Sequence, residues 1–193
     1  LLDIMSEAEA AGNPNMVFMF ASTSKISFPG AGIACVVVGK GDLPYIKKLV
    51  AGQIICPDKI NQLRHVTYLK NAENVKAHMR RHAAIIRPKF DIVLSTLERE
   101  LCGTGIANWT KPRGGYFISL DVLAGTASGV IAMAADTGVV LTPAGSTWPY
   151  HNDPEDKNIR IAPTFPSEAE ITHAADILCI CTKIVAIDKI YTK

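Results

Sequence analysis

Two short, uninterrupted apolar runs, Met16–Ala21 and Ile33–Val38, bracket a polar segment rich in small residues near the start of the chain. Runs of this length without polar alternation suit strands buried on both faces of a parallel sheet, since neither face meets water. The flanking letters punctuate them. Ser6–Ala11 is Ala- and Glu-rich and ends a helix at Gly12-Asn13-Pro14, while Pro29-Gly30-Ala31-Gly32 is a turn ahead of the second run. Asp42–Val50 then reads as a short helix, and Pro57-Asp58 opens another that runs to about Leu69. Buried strands alternating with helices give an α/β class with a parallel sheet.

The rest of the chain is patterned differently. In Asn74–Leu101 the residues Val75, Met79, Ala83, Ile86, Phe90, Val93, Leu97 and Leu101 recur at three or four, laying one apolar stripe along a long helix. Pro88 within it removes a backbone donor, so a kink is expected there. Trp109 and Gly114–Leu120 suggest two strands around a turn, Ala127–Thr137 a helix, and Val139–Thr142 and Asn158–Ala162 further strands. Ser167-Glu168-Ala169-Glu170 fits a capping box for a last helix with Ile171, Ala174, Ala175, Leu178, Cys181 and Val185 on its core face. The organisation expected is two-part: residues 1–73 as a portion of a large α/β domain, and 74–193 as a smaller α+β domain entered by the long helix.

Composition removes several function classes. The 193 residues are 48% hydrophobic and 20% charged with a net charge of +2, which excludes a self-repelling disordered tail. So small a net charge gives no global attraction to nucleic acid or to an anionic membrane, and no apolar run approaches the ~18 residues that span a bilayer. The five cysteines are odd in number and form no C-x-x-C pair, which suits a reducing, cytoplasmic setting. The opening Leu1-Leu2-Asp3-Ile4-Met5 has neither an initiator methionine nor a signal-peptide pattern, so a piece of a longer protein is expected.

Chemistry concentrates at two places. Lys25, in Ser22-Thr23-Ser24-Lys25, directly follows the first apolar run and so emerges at the carboxyl edge of a strand, where open α/β proteins bind ligands. Desolvation at such an edge favours the neutral amine that a Schiff-base lysine requires. The neighbouring hydroxyls and the Gly30/Gly32 turn could hold a phosphate. A surface-loop lysine beside capping serines would show the same four letters. The Ser-x-x-Lys reading of an acylating enzyme lacks its companion Ser-Asp-Asn and Lys-Thr-Gly motifs and is set aside. The second place is Arg160, in Asn158-Ile159-Arg160-Ile161-Ala162-Pro163. It points away from its isoleucine neighbours on an expected strand, where a guanidinium suits bidentate capture of a carboxylate; an edge-strand ion pair is the alternative.

Ser-x-Ser-Lys after an apolar run, the Pro-Gly-x-Gly turn, Pro112-Arg113-Gly114-Gly115-Tyr116-Phe117 and Asn158–Pro163 occur in the order seen in fold type I aminotransferases, which use pyridoxal phosphate. The chain resembles most the bacterial aspartate aminotransferases of the branch related to MocR-type regulators, through Ala21–Ile26, Asp58–His65 and Asp153–Pro163. The resemblance covers the whole chain but only the C-terminal half of the family's length. It implies that Lys25 carries pyridoxal phosphate as a Schiff base and shuttles a proton between the substrate α-carbon and the cofactor. It implies that Ser22, Ser24 and the Gly32 turn bind the cofactor phosphate, and that Arg160 holds the substrate α-carboxylate. Gly114-Gly115-Tyr116 would lie near the substrate's side-chain end. The implied partners are amino-acid and 2-oxo-acid substrates and a second copy of the chain in a homodimer, with no nucleic acid and no membrane.

One departure stands out: many class I members carry a phosphate-binding arginine eight residues after the lysine, where this chain has Ile33. Amides of the Gly30-Ala31-Gly32 turn would have to compensate. The family's pyridine-binding aspartate, aromatic stack and first phosphate loop precede the lysine by more than the 24 residues available, so this segment alone is expected to be inactive. A cofactor-binding effector domain of a MocR-type regulator is the alternative function. Among other signals, His78 and His82 sit at i and i+4 but are flanked by arginines, so a solvated basic face is read there, not a metal pair. No metal site is expected.

Overall fold

The computed structural model describes residues 2–192, and the chain divides into two units at Arg81/His82. The division falls inside one helix. In the first unit α1 (Ile4–Ala10) precedes β1 (Phe18–Ser22), β2 (Ala34–Val38), α2 (Leu43–Gln53), α3 (Lys59–Leu69) and the opening turns of α4 (Ala72–Leu101). Asp58 starts α3 as a cap, its carboxylate accepting from the Asn61 amide at 2.9 Å. Pro44 lies in the first turn of α2, where a missing amide hydrogen costs nothing.

The α/β class holds, but the strand pairing departs from the expected parallel sheet. β1 and β2 pair antiparallel, in register from Phe18 opposite Val38 to Ser22 opposite Ala34. The physical reason lies in the connection: residues 23–33 hold no helix and fall short of the roughly dozen residues a parallel crossover needs. Burial on both faces is also not seen. All of β1 is exposed and Phe20 is 76% exposed; the sheet has no third strand among the described residues, and only Val36 and Val38 of β2 are partly covered, lining a pocket with α2.

The second unit is built around a three-stranded antiparallel sheet, in the order β3 (Ala107–Trp109), β4 (Ile118–Val122), β5 (Asn158–Ile161). On β4 the side chains alternate, with Ile118, Leu120 and Val122 buried and Ser119 and Asp121 partly exposed. Onto this face pack Phe90, Val93, Leu97 and Leu101 of α4, Val130 and Ala134 of α5 (Ala127–Asp136), and Ile171, Leu178 and Cys181 of α6 (Glu168–Tyr191). Each large side chain removed from water here contributes about 1.5–3 kcal/mol. The expected stripe of α4 is therefore buried from Phe90 onward, with Ile86 packed partly buried against the same core, and Met79 is exposed. α4 runs as one helix through Pro88.

α6 starts with the full capping box: the Ser167 hydroxyl accepts from the Glu170 amide, and the Glu170 carboxylate accepts from the Ser167 amide at 2.7 Å. The segment 139–142 is irregular and not the strand expected. It ends at Pro143, which has no amide to donate, and Val140 is 86% exposed. Among the described residues no helix is long and apolar enough to cross a membrane.

Glu100 of α4 ties this helix to α6. Its carboxylate accepts from Lys183 Nζ at 2.7 Å and from Arg99 Nε at 2.8 Å, and Arg99 also reaches Asp176 at 2.6 Å. Lys183 first, and then Arg99, hold the Glu100 carboxyl at about 2, below its ordinary 4.5. A depressed folded-state value means the stabilisation is complete above the unfolded value and is lost as pH falls through the folded one. Glu100→Gln should therefore flatten the decline of melting temperature between about pH 4.5 and pH 2. The change will be small, since these partners are solvated.

Candidate active site

Lys25 lies in a tight turn immediately after β1. Both Ile26 N–H and Ser27 N–H donate to Thr23 O at 2.9 Å, so the residues around Lys25 are wound into one helical turn. Thr23 also closes the base of the loop: its amide donates to Ile33 O at 2.9 Å, and its Oγ1 accepts from the Ile33 amide at 2.9 Å. The Lys25 side chain is on the exposed side. In the same segment the hydroxyls of Ser22 and Ser24 stand 2.5 Å apart, and the Ser24 amide donates to Ser22 Oγ at 3.1 Å.

Gly32 closes against this pair. A Cβ there would lie 3.0 Å from Ser24 Oγ and 3.2 Å from the Ser24 Cα and N, so any side chain would push into the serine. Gly30 has φ +73°, which favours glycine. The Ala31 amide is used within the turn, donating to Phe28 O at 3.1 Å, and the Ile33 amide serves Thr23.

Two helices fasten this loop from behind. His65 of α3 is 2% exposed, with Nε2 2.7 Å from Ser27 Oγ and 3.2 Å from Thr23 Oγ1. Asn61, one turn earlier, donates through Nδ2 to Ala31 O at 2.8 Å. From α4, His78 Nε2 donates to Ile26 O at 2.7 Å, and its ring meets Tyr68 edge-on at 5.4 Å. His78 is thus part of the loop's support, which corrects its reading as one residue of a solvated basic face. Among the described residues no group of three metal-ligating side chains occurs.

Arg160 belongs to the second unit. It sits on β5 opposite Ser119, with its guanidinium carbon 4.6 Å above the centre of the Phe117 ring. Nη2 donates to Thr142 Oγ1 at 3.3 Å, while the buried Nε has no partner. Among the described residues Arg160 pairs with no carboxylate, so the edge-strand ion pair is not formed. A buried donor left open costs free energy unless something else accepts from it. That donor and a flat guanidinium backed by an aromatic face suit a carboxylate arriving from outside.

The approach to Arg160 is rigid. Burial alone would raise the Asp153 carboxyl, but the amides of Asn158, Lys157 and Glu155 all donate to it and hold it below the ordinary carboxylate value. Asp156 has φ +43° and accepts from the Ser128 amide at 3.0 Å and the Ser128 hydroxyl at 2.6 Å, so it caps α5 from the outside. Asn158 then bridges Ser119 Oγ at 2.8 Å, Asp121 Oδ1 at 2.6 Å and Thr147 Oγ1 at 2.8 Å. Beyond the strand, Lys89 Nζ donates to the carbonyls of Pro166 at 2.5 Å and Thr164 at 3.0 Å. The acidic run 153–156 is therefore structural joinery ahead of the arginine.

Sequence reasoning quoted Asn61 and His65 as letters of a motif but gave them no work. The signal that the sequence offers is their spacing, since residues four apart share one face of a helix. The donor set around Lys25 fits a phosphorylated aldehyde: an amine for the carbonyl carbon, and two adjacent hydroxyls with a glycine close behind for a phosphate.

The whole chain, residues 1–193, matches the aspartate amino-transferase family model. A putative aminotransferase of Mycolicibacterium smegmatis is 48% identical over 185 residues, which are 96% of this chain and 43% of that protein. An aspartate aminotransferase of Corynebacterium glutamicum is 45% identical over 186 residues, again 96% of this chain and 43% of the relative. The chain thus spans less than half the length of the relatives it matches. The crystal structure of an aspartate transaminase from Corynebacterium glutamicum superposes with a TM-score of 0.93 at 44% identity, covering 97% of this chain and 44% of that one. The fold extends further, to the α-aminoadipate aminotransferase LysN of Thermus thermophilus, with a TM-score of 0.75 at 22% identity over 97% of this chain and 46% of that one. That structure holds N-(5'-phosphopyridoxyl)-L-leucine. Sequence and superposition agree, and the chain belongs to the aspartate aminotransferase family.

Proposed function

We propose that this chain is the C-terminal portion of a pyridoxal-phosphate-dependent aminotransferase that exchanges amino groups between aspartate and 2-oxoglutarate and works as a cytoplasmic homodimer. Within the family we place it in the branch related to MocR-type regulators, on the stretches Ala21–Ile26, Asp58–His65 and Asp153–Pro163. We assign residues 1–73 to the large cofactor-binding domain and 74–193 to the small domain. The observation that carries the reading is the Lys25 turn, in which Ser22 and Ser24, just ahead of the lysine, hold their hydroxyls 2.5 Å apart.

Pyridoxal phosphate, when bound, supplies an electron-withdrawing ring that stabilises charge left on a substrate α-carbon. This chain's residues do the rest of the work available to it. Lys25 Nζ would hold the cofactor and, as a free amine, would carry the proton between the substrate α-carbon and the cofactor. Ser22 and Ser24 donate hydroxyl hydrogens to phosphate oxygens, which fixes the distance from the phosphate to Lys25. Arg160 binds the α-carboxylate in bidentate fashion and orients the bond to be broken.

Substrate choice is tested by initial rates of the protein at the full length of its relatives, loaded with pyridoxal phosphate. Paired with 2-oxoglutarate, aspartate should give a kcat/KM at least tenfold above that of leucine, alanine or lysine as donors. Equal rates with all four would overturn the aspartate assignment. No transfer from any of them, together with cofactor-dependent DNA binding, would favour an effector role.

A further inference from the structure

We infer that His65 is a positioning residue for the cofactor lysine, acting through the hydroxyl of Ser27. The inference rests on the reading of Lys25 as that lysine and goes beyond it. The ring of His65 is 2% exposed and lies behind the loop, so it meets neither substrate nor solvent directly. Its two nitrogens have different tasks. Nδ1 lies 2.9 Å from Asn61 O, a carbonyl that can only accept, so Nδ1 carries the hydrogen. In the neutral ring Nε2 is then an acceptor, and its nearest donor is the Ser27 hydroxyl at 2.7 Å.

Thr23 and Ser27 flank Lys25 symmetrically, two residues before and two after it. Both converge on His65 Nε2, and their oxygens are 3.0 Å apart. Thr23 is also the residue whose carbonyl accepts from the Ile26 and Ser27 amides, closing the turn that presents Lys25. Phe28 packs edge-on against the His65 ring at 5.4 Å, which fixes the ring plane. One buried imidazole thus joins the first and last residues of the Lys25 turn and ties both to α3. Without it the turn keeps its backbone bonds and Asn61 still holds Ala31, but Thr23 and Ser27 lose their clasp to the helix. The amine and the Ser22/Ser24 pair are then free to drift relative to one another, and that separation sets how well one cofactor reaches both.

The nitrogens also give a sharp pair of substitutions. Glutamine places its terminal amide where Nε2 is and can still accept from Ser27. Asparagine places its amide near Nδ1 and cannot reach the hydroxyl. The protein at the full length of its relatives is titrated with pyridoxal phosphate, following the visible absorbance and circular dichroism of the bound cofactor, and the cofactor-free forms are melted in parallel. His65→Asn should raise the cofactor Kd at least tenfold and reduce the visible dichroism, while His65→Gln stays within about threefold of wild type in both. Melting temperatures of the two cofactor-free variants should agree within a few degrees. Equal Kd and dichroism for Asn and Gln, whether both near wild type or both impaired, would overturn the positioning role. If wild type binds no cofactor through Lys25, the functional reading fails, and the positioning role fails with it. If wild type binds and His65→Asn binds equally well, only the positioning role fails.

Discussion

Lys25→Ala in the full-length protein should lower transamination by at least about 10⁴-fold. Two losses combine there. The α-carbon loses its positioned proton carrier, which alone contributes about 10²–10⁴-fold. The cofactor loses its covalent anchor and is left to the Ser22/Ser24 hydroxyls. Pyridoxal phosphate should therefore still associate, more weakly, with the absorbance of the free aldehyde. Lys25→Arg separates charge from chemistry. It keeps a cation at the same turn but offers no amine able to form the covalent bond, and it should be as inactive as the alanine variant. The side chain lies on the exposed side of its turn and outside the buried core, and melting both variants separates a stability effect from a chemical one. Retention of more than about 1% of wild-type turnover in either variant would remove Lys25 from the chemistry.

Arg160→Ala should act on substrate and spare the cofactor. A guanidinium that binds a carboxylate in a partly buried place is worth about 2–5 kcal/mol when its partner is left unpaired. That corresponds to a fall of about 30- to several-thousand-fold in kcat/KM. The loss should appear for the amino acid and for the 2-oxo acid alike, since both present the same carboxylate. The covalent binding of pyridoxal phosphate should be unchanged. Arg160→Lys keeps the charge over the Phe117 ring but not the planar fork, and it should recover only part of the loss. A defect limited to one of the two substrates would mean that Arg160 reads a side chain and not the shared carboxylate.

These two predictions rest on residues visible in the sequence, whereas the structures that hold them were visible only in part. Features that depend on neighbours along the chain were readable. The Asp58 and Ser167 caps follow from one side chain and an amide three residues away, and the alternation of β4 follows from its own letters. Pairing direction was not. The apolar runs at 16–21 and 33–38 announce strands, but their antiparallel arrangement is decided by how little chain lies between them. The strand expected at 139–142 failed for a similar reason, because β-propensity says nothing about whether a partner edge is available.

At the site, long-range contacts were the missing information. His65 reaches Ser27 across 38 residues, and His78 reaches the Ile26 carbonyl across 52. A histidine on an amphipathic helix reads as a solvated face until the loop it holds is placed beside it. Arg160 was legible as a strand cation pointing away from its isoleucine neighbours, but its aromatic support from Phe117 and its unpartnered Nε are properties of the folded sheet. The burial that pushes the Cys179 thiol up to about 12 likewise depends on the packing around α6. Sequence pattern singled out Lys25 and Arg160, and tertiary contacts supplied their surroundings.

The central claim, that Lys25 is the cofactor-bearing amine, has a direct chemical test. Full-length protein is incubated with pyridoxal phosphate, reduced with borohydride, digested and mapped by mass spectrometry. The expected result is a stoichiometric phosphopyridoxyl mass on the peptide containing Lys25, absent when substrate amino acid is added in excess before reduction. An unmodified Lys25 peptide, with the label absent or scattered over other lysines, would contradict the assignment.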